Sequence, residues 1–142
     1  MSTEENKAFV RRWFDNFESG NFEALQAMAA DDHRFHFALS PEPLDGAGHL
    51  GTQRAVKEAI PDLHFTIEDQ VAEGDKVVTR YTARGTHQGA FQGLPPTGKA
   101  IEFGGVNIIR IADGKNAEEW EIPDTLSMMQ QLGAVQMPQQ SG

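Results

Sequence analysis

From His64 to Ile122 the chain reads HFTIEDQVAEGDKVVTRYTARGTHQGAFQGLPPTGKAIEFGGVNIIRIADGKNAEEWEI. Apolar residues recur here with a period of two, the spacing of strands with a buried face. Phe65, Ile67 and Val71 alternate along a first strand. Glu73-Gly74-Asp75-Lys76 reads as a hairpin turn, and Val77 to Thr86 as a long second strand. Phe91 to Gly98 (FQGLPPTG) is a stiff loop, because its prolines fix φ. Ile101 to Ile111 and Lys115 to Ile122 form two more strands, joined at Asp113-Gly114. This is an antiparallel meander.

Upstream the period changes to that of helices. Ser2-Thr3-Glu4-Glu5 reads as a capping box, and Phe9, Val10, Trp13, Phe14 and Phe17 form one apolar stripe. Asn21 can cap a second short helix carrying Phe22, Leu25 and Met28 and ending near Ala30. A strand follows, with Phe35 and Phe37 on one face and Arg34 and His36 on the other. Asp45 is the N-cap of a third helix to about Ala59, stopped by Pro61. Asp124, read as a cap, starts a short terminal helix with Leu126, Met129 and Leu132, and Gly133 ends it. The expectation is one domain over residues 1–134 and a tail without pattern over 135–142. Three helices before a meander give the α+β class: a curved, mostly antiparallel sheet wrapped into a cone, with helices on one face. The interior of such a cone suits an apolar ligand.

Composition narrows the partners. The 142 residues carry 12 Lys+Arg against 21 Asp+Glu, a net charge of −9, and no cysteine. Disulfides, thiolate nucleophiles and zinc–thiolate sites are thereby excluded. A field of this sign repels phosphate backbones and anionic lipid, so nucleic acid and membrane are not expected partners. A small hydrophobic molecule or a second copy of the chain is expected instead. No apolar run is long enough to span a bilayer, and the first residues lack the pattern of a signal peptide, so the expected location is cytoplasmic.

The marks from Pro61 onward resemble the SnoaL-like polyketide cyclases, a family of the nuclear transport factor two-like superfamily of cone-shaped α+β barrels. They are Pro61-Asp62-Leu63, Gly85-Thr86-His87, the Gly93-Leu94-Pro95-Pro96-Thr97-Gly98 loop and Ala112-Asp113-Gly114-Lys115. Glu119-Trp120, Asp124 and Gln131-Leu132-Gly133 complete them. The resemblance implies a cofactor-independent enzyme that closes a ring by an intramolecular aldol reaction. It implies that Glu121 is the acid–base group, where the family cyclases have Asp. It places Asn107 where those cyclases often have a pocket His, and matches His36 to a polar pocket residue on the strand after the second helix. It also implies a homodimer. The apolar residues on both sheet faces agree, since three helices can cover only one of them. Isomerisation or hydrolysis on the same scaffold, or ligand binding without catalysis, are the alternatives.

The residues themselves allow this chemistry. A Glu among apolar walls rises toward the range that suits a base at neutral pH. Two turn geometries at Asp113-Gly114 remain open. A bulged turn pairs Asn107 with Glu119 and Gly105 with Glu121, and places Asn107, Glu119 and Glu121 on one face. A tight two-residue turn turns Val106 and Ile108 to that face instead. In the bulged form Gly105 leaves room for a substrate beside Glu121, and Glu119 is expected to be catalytically silent. Trp13, Phe17, Phe37, Tyr81, Phe91 and Phe103 are core residues, some of which line the cavity in a cone. His33 and His36 fall on opposite faces of a strand, so no metal site is expected. His87 is read as the anchor of a turn. His49 and His64 have no partner near in sequence. No nucleophilic elbow and no nucleotide-binding glycine pattern is present.

Overall fold

The computed structural model describes residues 1–135; the expected tail lies, beyond Val135, outside the described residues. The elements are α1 (Thr3–Ser19), α2 (Phe22–Met28), β1 (Ala29–Phe37), α3 (Gly46–Ala59), β2 (His64–Glu73), β3 (Lys76–Thr86), β4 (Ala100–Ala112), β5 (Lys115–Pro123) and α4 (Thr125–Gln131). The capping residues start the helices as their chemistry requires. Ser2 and Glu5 form the reciprocal box of α1, and Asn21, Asp45 and Asp124 accept the free N–H groups of α2, α3 and α4.

The strands form one open sheet in the order β1-β5-β4-β3-β2. β1 runs parallel to β5, and every other pair is antiparallel. Register shifts between Ala29 and Arg34, Ile67 and Asp69, and Arg110 and Ile111 bend the long strands. The helices cover one face. Phe9, Val10, Trp13 and Phe14 of α1 are buried against it. Phe14 meets Phe65 edge-on at 5.2 Å and Tyr81 at 5.7 Å. Each such side chain contributes about 1.5–3 kcal/mol on burial. No helix among the described residues is long and apolar enough to cross a membrane.

The β4–β5 hairpin combines features of the two expected turns. Asp113 (φ 51°) and Gly114 (φ 73°) make a two-residue turn that pairs Ala112 with Lys115. The extra residue sits further along β5, where Ile111 pairs with Asn116 but Arg110 pairs with Glu118. Because the bulge is on β5, Asn107 faces Glu121 and Gly105 faces Pro123. The set of residues on each face is that of the bulged alternative, and the register differs from it by two residues.

The helix-free face carries a cross-strand row of Val71, Val78, Ile108, Trp120 and His36. Val71 (65% exposed) and Val78 (37%) belong to its open part. A charged row of Glu73, Lys76, Arg110, Glu118 and Arg34 flanks it.

Candidate active site

Strand alternation projects a polar row onto the otherwise apolar helix-covered face: Gln70, Thr79, Asn107 and Glu121, closed by Phe37. One step along, Phe35, Glu119, Ile109 and Val77 form the next row. Between these rows and the helices lies a cavity of about 90 Å³. Trp13, Phe17, Phe37, Tyr81, Phe91 and Phe103 all stand in its wall, with Asn107, Glu119 and Glu121.

Glu121 receives a hydrogen bond on each carboxylate oxygen. The Tyr81 hydroxyl donates to Oε1, and Asn107 Nδ2 donates to Oε2 at 2.8 Å. Burial pushes the Glu121 carboxyl up to about 7, and the two donors pull in the opposite direction. Tyr81 is buried, and burial together with the nearby Glu121 charge raises its phenol far above the usual value. It therefore stays protonated and can only donate while Glu121 is ionised.

Gly105 makes this arrangement possible. A Cβ at that position would collide with the Tyr81 phenol. The space beside Gly105 is thus filled by Tyr81, and does not remain open for a substrate as the sequence suggested.

Asn107 is 1% exposed, and its Oδ1 has no hydrogen-bond partner among the described residues. Buried polar atoms are rarely left unpaired, so a donor from a ligand would complete the site. Asp124 caps α4 and donates its own N–H to Gly104 O at 2.8 Å. This seats α4 at the end of β5, where Met128 joins the cavity wall.

His36 lies elsewhere. Phe35 and Phe37 take the inner face of β1, so alternation sends His36 to the helix-free face. There it stacks on Trp120 at 5.1 Å and pairs with Glu118 at 2.7 Å. His87 is buried, and Thr97 N donates to its Nδ1 at 3.2 Å, tying down the 91–98 loop. In that loop Gln92 (φ 50°) and Gly93 (φ 80°) form a tight turn that points Phe91 inward.

Two further polar residues, Glu119 and His49, stand in the cavity wall, with Asn116 and His33 behind them. Glu119 is 3% exposed, not solvated. Asn116 Nδ2 donates to its Oε1 at 3.0 Å. His49 of α3 stands 3.5 Å from its Oε2, and His33 of β1 is 2.8 Å from His49. The neighbours come from β1, α3 and β5, which no local pattern connects. The one local signal was the i, i+2 spacing of Glu119 and Glu121, which puts both carboxyls on one strand face.

Comparison with known proteins agrees with this fold. The family model described as SnoaL-like polyketide cyclase matches residues 8–132. Aklanonic acid methyl ester cyclase DauD from Streptomyces sp. (strain C5) is 25% identical over 87% of this chain and 79% of its own length. Aklanonic acid methyl ester cyclase DnrD from Streptomyces peucetius is 25% identical over 94% of this chain and 92% of its own. The crystal structure of wild-type IdmH from Streptomyces antibioticus superposes with a TM-score of 0.79. It is 36% identical, over 90% of this chain and 98% of that one. With its α+β cone, its open mixed sheet and a family match over nearly its whole length, the chain belongs to the SnoaL-like polyketide cyclases.

Proposed function

We propose that the protein is a cofactor-independent acid–base enzyme acting on a hydrophobic carbonyl compound, and that its reaction is an intramolecular aldol closure of a polyketide-type ester. The observation that carries this reading is Glu121: a carboxyl in an aromatic cavity, raised to about 7, with a donor on each oxygen. A base of that strength works at neutral pH without a metal or a nucleotide.

In this reading Glu121 takes a proton from the carbon next to a carbonyl. The carbanion attacks a second carbonyl carbon of the same molecule, and the resulting alkoxide takes up a proton. As Glu121 becomes protonated it needs its donors less. The Tyr81 hydroxyl then turns to the developing oxyanion. Asn107 Oδ1 accepts from a substrate hydroxyl. The six aromatic side chains of the wall hold the ring system.

The cavity of about 90 Å³ is smaller than the roughly 300–1,000 Å³ of pockets for drug-sized ligands. A polyketide must therefore displace part of the wall. The same figure favours a second reading, in which a smaller ketone is isomerised by Glu121 in the cavity as it stands. Incubation with aklanonic acid methyl ester, followed by liquid chromatography and mass spectrometry, separates the two. Aldol closure gives a new product of unchanged mass, and an untouched ester rejects the cyclase reading for that substrate.

The exposed Val71 and Val78, with the half-buried Ile108 beside them, support a homodimer through the helix-free face, with the charged row at its rim. Light scattering at micromolar concentration should give about twice 15.6 kDa. The monomer mass would reject the dimer.

A further inference from the structure

Outside the Glu121 cluster the interior holds a second connected set of titratable groups. His33 Nδ1 is 2.8 Å from the Asn116 carbonyl oxygen, and a carbonyl can only accept. His33 therefore carries a proton on Nδ1. Its Nε2 is 2.8 Å from His49 Nδ1, so one proton lies between the two rings. If His33 is neutral, that proton belongs to His49 Nδ1. The remaining nitrogen, His49 Nε2, then presents a lone pair to Glu119 Oε2 at 3.5 Å. A lone pair facing a buried carboxylate has no hydrogen bond to make. One further proton is needed, and it can sit on Glu119, on His49 or, after one hop, on His33. In each arrangement the trio is neutral, which is the cheapest charge state for groups that are all at most 3% exposed.

Stacking holds the planes of both rings, and a half-turn of either would put a ring carbon in place of a nitrogen at the His33–His49 contact. His49 is stacked on Phe35 with 3.5 Å between centroids and is flanked by Trp13 at 5.7 Å. His33 is stacked on His49 at 5.1 Å. His49 also lines both the inner cavity and a separate crevice of about 350 Å³ between α2, β1 and α3.

We propose that His33, His49 and Glu119 are a second acid–base unit sharing a single proton, and that Glu119 delivers this proton to the substrate oxygen while Glu121 removes one from carbon. The proposal deepens the acid–base reading of the same cavity and rests on it. Glu119 is the catalytic residue of the unit, since it lines the cavity; His49 and His33 are positioning residues that fix where the proton can be. The exchange balances. Glu121 carboxylate gains the carbon proton, Glu119 carboxylic acid loses one to the alkoxide, and the site resets when one proton passes from Glu121 to Glu119.

The charged surroundings are consistent. Burial and the Glu121 charge raise Glu119 well above the usual carboxylate range. Burial lowers both histidines, with Asp32 and Glu118 acting the other way on His33. Asp31 and Arg54 line the outer crevice. Against the pull of the Asn116 and Asn107 amides on Glu119, these shifts favour the arrangement with the proton on Glu119.

Nitrogen-15 histidine and carbon-13 carboxyl NMR on the ligand-free protein test the unit without substrate. At pH 7 both rings should be neutral, with the proton on Nδ1, and Glu119 should be protonated. One cationic ring beside an ionised Glu119 overturns delivery of the proton by Glu119, since a carboxylate has none to give. Two neutral rings beside an ionised Glu119 overturn the proposal as a whole. Glu119→Gln should keep the ring pattern, because the Gln amide donates to His49 Nε2. With aklanonic acid methyl ester as probe, that variant should lose about 10²–10⁴-fold in kcat and the alkaline limb of the rate profile. An unchanged rate overturns the catalytic role. His33→Leu frees His49 to carry its proton on Nε2 and donate to an ionised Glu119. The alkaline limb should then move to lower pH while the acidic limb stays; an unmoved alkaline limb rejects the positioning role. A wild-type enzyme inert toward the ester would count against the cyclase reading alone, since the NMR result is independent of it.

Discussion

Asn107 stands directly across the β4–β5 pair from Glu121 and gives its amide proton to Oε2 at 2.8 Å. Both strands have hydrogen-bonded neighbours on either side, so neither residue can drift relative to the other. With Tyr81 on the second oxygen, the carboxylate is held in one orientation before any ligand arrives. Such preorganisation is what a positioned base requires.

Glu121→Gln keeps size and polarity but cannot take a proton. Turnover of the ester should fall about 10²–10⁴-fold with little change in KM. In the wild type only the ionised form is a base, so the rate should rise with pH through an acidic limb near 7. Steady-state kinetics between pH 5 and 9 check both points.

Tyr81→Phe removes a donor that favours the ionised form of Glu121. The acidic limb should move to higher pH. The rate at pH 9 should fall less than the rate at pH 6.5, and a limb that stayed in place would show that Tyr81 does not tune the base.

Stability should depend on pH with a defined sign. The folded Glu121 carboxyl, at about 7, binds its proton more tightly than the unfolded chain, whose value is near 4.5. Its stabilising contribution is complete below 4.5 and is lost as pH rises through 7. Glu121→Gln should thus be more stable than the wild type at pH 8, on the order of 1–3 kcal/mol, with the advantage gone at pH 4.5. His33 and His49 act oppositely: both are held below 6.5 in the fold, so their contribution is lost as pH falls below 6.5. Urea unfolding at several pH values measures these slopes.

Gly105→Ala places a methyl group where the Tyr81 phenol lies. Overpacking of this kind costs about 1–3 kcal/mol. It should also tilt Tyr81 off Glu121, so the variant should lose activity beyond its loss of stability. Gly114→Ala is the comparison: its position is open, and strain at φ 73° should lower the melting temperature without moving the acidic limb.

Helix starts and strand faces were legible because short-range chemistry decides them. Ser2, Asn21, Asp45 and Asp124 each satisfy N–H groups a few residues away. The sharing of one face by Glu119 and Glu121 followed from the period of two. Whether Asn107 joins them, and in which register, did not, because that depends on where the hairpin carries its extra residue, and only packing selects β5. The resemblance places His36 in the pocket, whereas alternation with Phe35 and Phe37 points it to the other face. The surroundings of Glu119 were hidden, since His49 is 70 residues distant in the chain and enters on a different element.

The interior place of β5, between the parallel β1 and the antiparallel β4, separates chemistry from selectivity. The carboxyl-bearing strand has no free edge, so its central amides should be among the slowest in the molecule to exchange with deuterium. The wall facing it is completed by a short terminal helix and a tight loop turn, which can change residue by residue without disturbing a ladder. A lineage could in this way refit the cavity to new ring systems while the proton-handling groups remain where they are.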